Sequence, residues 1–449
     1  MNAPLRRGAC PGLSQPMTTG DGLLVRLTST GTTMPCEALA VLCTAARGCG
    51  NGVIEITSRG SIQIRGLTED SIKQFAATVA GIDVAFGEGP PVLSDPLAGL
   101  DPQEAVDAGA IAADLRRAIA GAPFAADIGP KVSVAIDGAG VLHLDAVAAD
   151  VRMRAQASGA YLHVAVGGVA GTACPIGAVA AKHAVEAAMR MLRVIAAGGS
   201  AARARDIVAT NGAAAFRRVI GDILVDLPPP PPRPAANPLG MHALRDGRVA
   251  IGLGLAFGHA HSTALEELTR AVAESGARGL RSAPDRAILV VGVTEDSAER
   301  LADIAQRLGF IVRADDPRRQ IVACAGAPIC AAAEISTRAL APSLAANAAI
   351  AGADAPIVHL SGCAKGCACP RSTPLTVVGI EGRCGVVLNG SARDEPLVLL
   401  MPEALPGALS RCVDGVRRLR VADESAAEVL SRLDRAQIMH LLLGEATGA

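Results

Sequence analysis

The feature that most constrains what this chain can fold into is a duplication, seen when Gly22 to Val84 is laid against Gly247 to Val312. Asp21-Gly22 answers to Asp246-Gly247. Gly66-Leu67-Thr68-Glu69-Asp70-Ser71 answers to Gly292-Val293-Thr294-Glu295-Asp296-Ser297, with the offset shifting by a single residue between the two anchors. Each copy predicts the same order of elements: a strand (Leu23 to Thr28; Val249 to Leu253), a helix (Pro35 to Ala46; Ser262 to Ser275), two strands (Val53 to Thr57 and Ile62 to Arg65; Gly279 to Ala283 and Ala287 to Val291), then a second helix. Thr68 and Thr294 are placed to cap that last helix, with Asp70 and Asp296 near its positive end. This order is half of a ferredoxin-like fold. Three strands under one helical layer bury too little to stand alone, so the copies are expected to pair about a pseudo-twofold axis.

A chain of 449 residues exceeds what one core usually supports, so further lobes are expected. Five consecutive prolines, Pro228 to Pro232, lie within Leu227 to Pro234 and predict an extended polyproline spacer between the copies; a ligand for an SH3 or WW domain is the competing reading. Lys131 to Arg193 and Pro356 to Val416 follow the two copies, each with strands and a long helix (Ala178 to Ile195 in the first), and make a second pair of related lobes. The expected organisation is α+β: ferredoxin-like half-domains at 17–85 and 240–313, α/β lobes at 90–226 and 318–445, and a proline-rich linker at 227–239. The cleft at the pseudo-twofold axis is the expected site.

Composition narrows the function. Forty-two Lys and Arg balance 43 Asp and Glu, leaving a net charge of -1, and there is no Trp and one Tyr. Such a chain lacks both the basic tail and the aromatic stacking platforms of a nucleic-acid binder. No run of roughly 20 apolar residues predicts a membrane span. Arg6 and Arg7 are not followed by the apolar segment of a signal peptide, so the cytoplasm is the expected location.

In a reducing compartment, clustered cysteines point to metal or redox chemistry. Four of the twelve form a constellation: Cys324 and Cys330, then Cys363 and Cys367. Two pairs on separate loops can enclose a 4Fe-4S cluster, and Ala325-Gly326-Ala327-Pro328, Gly362 and Gly366 let backbone N–H groups approach its sulfurs. Structural zinc is the alternative, although zinc ribbons prefer shorter gaps between paired ligands. Cys36, Cys43 and Cys49 fall on and just after a helix and read as core filling, while Cys10, Cys174, Cys369, Cys384 and Cys412 are lone thiols. Gly167, Gly168 and Gly171 lack the Lys-Ser/Thr pair of a phosphate loop and read as tight turning.

Ala323-Cys324, Cys330, Glu334 and Ser361-Gly362-Cys363-Ala364-Lys365-Gly366-Cys367 resemble the cluster motif of sulfite and nitrite reductases, a superfamily built on the same duplication. The resemblance implies a sulfite-reductase-like architecture and a 4Fe-4S cluster on Cys324, Cys330, Cys363 and Cys367. In those reductases the position matching Cys367 also bridges to siroheme iron. Arg26 and Lys131 match two cations of the reductases' anion cage, but Gly89-Pro90-Pro91 and Ser133 stand where the other two are expected. An incomplete cage argues against sulfite chemistry, because a buried anion needs converging cations.

Within the superfamily, Arg7-Gly8-Ala9-Cys10-Pro11-Gly12-Leu13, then Gly20-Asp21-Gly22-Leu23-Leu24-Val25-Arg26, and the Ala364-Lys365 pair resemble precorrin-3B synthases. That resemblance implies an oxygen-dependent hydroxylation of precorrin-3A at C20, with lactone formation, in aerobic cobalamin biosynthesis. Arg59 and Arg65, in Thr57-Ser58-Arg59-Gly60-Ser61-Ile62-Gln63-Ile64-Arg65, resemble the superfamily's tetrapyrrole-contacting stretch, whereas the second copy has Asp285 and Arg286 there. With Arg26, Lys131 and Lys365 they are the expected contacts of the substrate's carboxylates. The implied partners are dioxygen and a separate reductase passing electrons from NADH, since no nicotinamide or flavin fingerprint stands out. A mononuclear non-haem iron is a further expectation, for which His143, His163 and His359 are candidates by residue type alone. A siroheme-dependent sulfite or nitrite reductase is the alternative.

Overall fold

The computed structural model describes residues 11–30, 33–84, 86–87, 89–347, 358–369, 371–421 and 424–444. They form two compact units. One gathers the chain up to Met17 with Leu23–Gly254 and Ala260–Leu308; the other gathers Thr18–Gly22, Leu255–His259 and the chain from Gly309.

The two helices and the three-stranded core of each repeat copy lie in the first unit, apart from Gly22 at the start of the first strand. In the first copy Gly22–Ser29, Ile62–Leu67 and Val53–Ile56 are antiparallel neighbours, with Ile62–Leu67 central. Alternation sorts the faces. Val25, Leu27, Ile54, Ile56, Ile62 and Ile64 are buried together, while Arg26, Gln63 and Glu55 lie abreast on the opposite face. The second copy repeats the pattern with Val249–Gly254, Ala287–Val293 and Gly279–Ala283.

Helices Cys36–Cys49 and Ser71–Ala80 belong to the first copy, and Ser262–Glu274 and Glu295–Arg307 to the second. Thr294 caps as expected, accepting from the Ser297 amide; in the first copy Thr68 accepts from the Ser71 amide, but the helix proper begins only at Ser71. The copies pair as the duplication requires. Met34 and Leu280 exchange backbone hydrogen bonds of 2.7 and 2.9 Å, Ser262 donates to the Gly52 carbonyl at 2.7 Å, and Arg47 meets Glu266 at 2.8 Å.

The two lobes share one topology. In the first, Val92–Ser94, Val134–Asp137 and Ala149–Ala155 run parallel, then Tyr161–Gly168 and Cys174–Ala180 follow antiparallel. In the second, Ile321–Ala323, Val358–Ser361 and Thr373–Ile380 run parallel, followed antiparallel by Arg383–Gly390 and Val398–Leu400. The long helix of the first lobe starts at Ala184, not Ala178. Ala178 and Val179 pair with His163 and Leu162, so the sheet claims their backbone groups before a helix can. Alanines satisfy either period, which is why sequence pattern misplaces this boundary.

The proline-rich run has no regular secondary structure, as the polyproline reading expects, but it is more than a spacer. Arg154 donates to the Pro231 carbonyl at 2.9 Å, His143 bonds the Pro234 carbonyl at 2.9 Å, and Arg233 is seated between Asp137 and Asp145. Among the described residues no helix is long and apolar enough to cross a membrane.

Candidate functional site

In the second lobe, parallel strands aim two loops at one another. Ile321–Ala323 ends at Cys324, whose amide donates to the Leu360 carbonyl at 3.1 Å; Val358–Ser361 ends at Gly362, whose amide donates to Cys324 Sγ at 3.1 Å. The first loop curls through Cys330, whose amide donates to the Gly326 carbonyl at 2.7 Å, and the Glu334 amide ties it to the Gly362 carbonyl at 2.7 Å. Two glycines are forced by space. Gly326 has φ +68°, and a Cβ there would lie 2.3 Å from Thr337 Oγ1; a Cβ on Gly362 would lie 2.5 Å from that of Ala333. The turn Thr18–Gly22 closes over the first loop, Gly20 donating to the Ile329 carbonyl at 3.0 Å.

The four cysteines meet electrostatically. Burial pushes the Cys367 thiol up, the charges of Cys363, Cys324 and Cys330 push it further, and Lys365 opposes them. Such a quartet resists becoming four thiolates unaided, and a cationic metal core removes that resistance. Four thiolates around one zinc, with bonds of about 2.3 Å, would stand about 3.8 Å apart. Among the described residues the cysteines furnish no group of three or more ligand atoms all within 4.8 Å of one another. Lys365 is exposed at the edge of the quartet, and the Cys367 residue reaches solvent there even though neighbouring atoms desolvate its thiol.

The corresponding loops of the first lobe keep the frame and change the chemistry. Asp95 follows Val92–Ser94 as Cys324 follows Ile321–Ala323, and its Oδ2 accepts the Gly138 amide at 2.5 Å as Cys324 Sγ accepts that of Gly362. The Ala105 amide ties the loop to the Gly138 carbonyl at 2.8 Å, and Arg245 donates to the Leu100 carbonyl at 2.9 Å as Gly20 does to Ile329. Here Asp137, His143 and Asp145 converge within ligand reach of one another. Arg233 occupies the space between the two carboxylates, hydrogen bonding to both. Burial opposes ionisation of Asp145, yet Arg233 outweighs it and holds that carboxyl below its ordinary range.

The expected substrate contacts in the first unit divide into two groups. Arg26 donates to Gln63 Oε1 through Nε and Nη2 at 3.1 and 2.7 Å, Gln63 donates to Glu55 at 2.7 Å, and the buried Arg65 stands 3.7 Å from Glu55. This row fixes a polar sheet face and leaves Arg65 paired internally. Arg59 sits on the turn between Val53–Ile56 and Ile62–Leu67, and Lys131 is exposed just before Val134–Asp137. The histidine candidates do not gather: His163 lies on Tyr161–Gly168, where burial lowers its pKa, and His359 is buried behind the cluster loop with its Cε1 3.7 Å from a Cβ built on Gly366.

The helix cysteines are core residues as expected. Cys36, Cys43 and Cys49 are buried, and burial pushes Cys43 up to about 12. Cys384 and Cys412 are buried and raised to about 11; Cys369 is also buried, its thiol facing the Arg371 carbonyl at 3.8 Å. Cys10, with the motif residues Arg7 to Ala9, lies outside the described residues.

Comparison with known proteins places this geometry. Residues 15–81 match the nitrite/sulfite reductase ferredoxin-like half domain. The solved structure of Mycobacterium tuberculosis NirA superposes with a TM-score of 0.77 at 20% identity, covering 93% of this chain and 84% of that one. Sulfite reductase [ferredoxin] 2 of Mycolicibacterium paratuberculosis is 25% identical over 80% of this chain and 70% of its own length. Fold and site therefore define a member of the sulfite and nitrite reductase superfamily. Precorrin-3B synthase of a Sinorhizobium species is 37% identical over 97% of this chain and 94% of its own length. The chain belongs to the precorrin-3B synthase family.

Proposed function

We propose that this protein is an oxidoreductase of aerobic cobalamin biosynthesis that hydroxylates precorrin-3A at C20 with formation of a γ-lactone, giving precorrin-3B. The observation that carries the reading is the near full-length 37% identity to a precorrin-3B synthase, joined to the cysteine quartet. Cys324, Cys330, Cys363 and Cys367 hold a 4Fe-4S cluster, which supplies single electrons. Dioxygen reacts sluggishly with closed-shell organic molecules, and placing one of its atoms in the product while the other leaves as water consumes an electron pair. That pair comes from NADH through a separate reductase.

The chain's own residues bind and orient. Arg26 and Arg59 on the first ferredoxin-like copy, Lys131 in the first lobe and Lys365 between the cluster cysteines offer cations to the substrate's rim of carboxylates, while Arg65, expected among them, is buried against Glu55 and supports that face from within. Gln63 and Glu55 hold Arg26 and Arg65 in register, so the substrate meets a preorganised face. Asp137, His143 and Asp145 have the donor set of a mononuclear iron site, but Arg233 fills it, so these residues do not fit a second iron and none is assigned to one.

The test is turnover under labelled dioxygen with precorrin-3A, NADH and a reductase. One labelled oxygen atom in a lactone product supports the reading. Copurified siroheme with sulfite or nitrite turnover, and an untouched tetrapyrrole, would instead make the protein a reductase.

A further inference from the structure

Beside the polar face of the first copy lies a pocket whose walls include Arg59, Arg116, Arg281, Thr28, Ser61 and Ser94. Three separate elements deliver the arginines. Arg59 comes from the strand-to-strand turn of the first copy, Arg281 from the middle of Gly279–Ala283 in the second, and Arg116 from helix Ala108–Ala120 of the first lobe. Among the described residues no Asp or Glu lines the pocket.

The hydrogen bonds of Arg116 and Arg281 go to neutral oxygens. Arg116 donates to the Val92 carbonyl at 2.7 Å; Arg281 donates to Thr33 Oγ1 at 2.9 Å and to the carbonyls of Pro96 and Ala98 at 3.1 and 2.9 Å. Burial lowers the pKa of both, and it takes Arg281 down to about 10 despite the more distant charges of Glu104 and Asp107. A guanidinium removed from water without a counter-charge is costly, and a bidentate carboxylate is the partner whose shape matches it. Thr28 stands two residues from Arg26 on the same strand, so its side chain lies on the face that carries the Arg26–Gln63–Glu55 row. The pocket therefore continues that face.

We propose that this pocket is a carboxylate subsite, in which Arg116 and Arg281 join Arg59 to take one acetate or propionate side chain of the tetrapyrrole. The inference rests on the tetrapyrrole reading of the first copy and adds two arginines to it. It also fixes the pose, because a macrocycle with one side chain held here can present only one edge to the rest of the site.

Uroporphyrin III, which carries carboxylates on every ring, and the same porphyrin with its carboxylates converted to amides are the probes. Binding of each to the full-length chain is followed by porphyrin absorbance and fluorescence. The wild type prefers the acid. Arg116→Gln weakens binding of the acid by about 10- to 100-fold while changing the amide little, so the preference collapses; Arg116→Lys restores part of it. A lost preference separates charge pairing from a merely structural role, and Arg59→Gln repeats the test from a partly exposed turn should Arg116→Gln unfold. Wild-type binding of the acid that folded Arg116→Gln leaves unchanged would overturn the subsite alone. A wild-type chain that binds neither porphyrin would overturn the tetrapyrrole reading and the subsite with it.

Discussion

The two lobes are one design carrying two chemistries. Strand order is the same, the loops Gly138 to Ala148 and Gly362 to Ser372 have equal length, and Asp95 and Asp101 are spaced as Cys324 and Cys330 are. Counting from the preceding strand, His143 falls where Cys367 does and Asp145 where Cys369 does. Where the second lobe gathers thiols, the first gathers carboxylates and closes them with Arg233 from the proline-rich linker. The loop frame is indifferent to what it holds, and a few side chains decide. Four thiols are a donor set for a soft metal; carboxylates closed by a guanidinium make a charge-neutralised clamp that fastens the linker.

The comparison breaks most visibly at the ligands. Cys330→Ser is expected to strip the iron and cut turnover by more than about 100-fold, whereas Asp101→Ser at the matching place in the first lobe leaves iron content unchanged; iron and acid-labile sulfide assays with turnover decide this. Removing the guanidinium should come next. Arg233→Ala removes the partner that both carboxylates share, leaving Asp145 the longer contacts of Arg152 and Arg154 at 3.9 Å, and is expected to cost about 3 kcal/mol in urea unfolding, part of which Asp137→Asn on the same background restores. Iron content should not change in either protein.

Asp95 sharpens the contrast through pH. Burial, then the charge of Asp137, raises its pKa well above the ordinary carboxylate value, so the folded protein binds a proton that the unfolded chain has released. Stability from this group is therefore full below the unfolded value and declines as pH rises toward the raised one. Asp95→Asn keeps an oxygen for the Gly138 amide and should melt a few degrees higher than wild type near neutrality, with the gap closing in acid. A gap that widened in acid would contradict the buried, proton-holding carboxyl. The smallest effect belongs to exposed Lys365: Lys365→Ala is expected to raise the KM for precorrin-3A a few-fold, with melting unchanged.

Much of this was legible in the sequence, for identifiable reasons. The repeat could be read because Gly66–Ser71 and Gly292–Ser297 mark the same strand-to-helix turn, whereas the cysteine quartet is a proposal from spacing that the iron and sulfide assays decide. Arg116, Arg281, Asp137 and Asp145 were not. Each is a lone charge on a helix, strand or turn, where a solvent-facing residue looks the same, and only tertiary folding shows that all four are buried or paired. A usable signal existed for the first lobe's acids, since Asp95 and Asp101 repeat the spacing of the cysteines once the lobes are aligned on their strands. Cys36, Cys43 and Cys49 were read correctly because helical periodicity already placed them against the core.

Anaerobic purification followed by iron and sulfide analysis and electron paramagnetic resonance of the dithionite-reduced protein tests the central claim most directly, with Cys363→Ser alongside. About four irons and four sulfides per chain, a reduced 4Fe-4S signal lost in Cys363→Ser, and no siroheme absorption are the predicted result. Stoichiometric zinc without sulfide, or an iron-sulfur signal that survives Cys363→Ser, would contradict it.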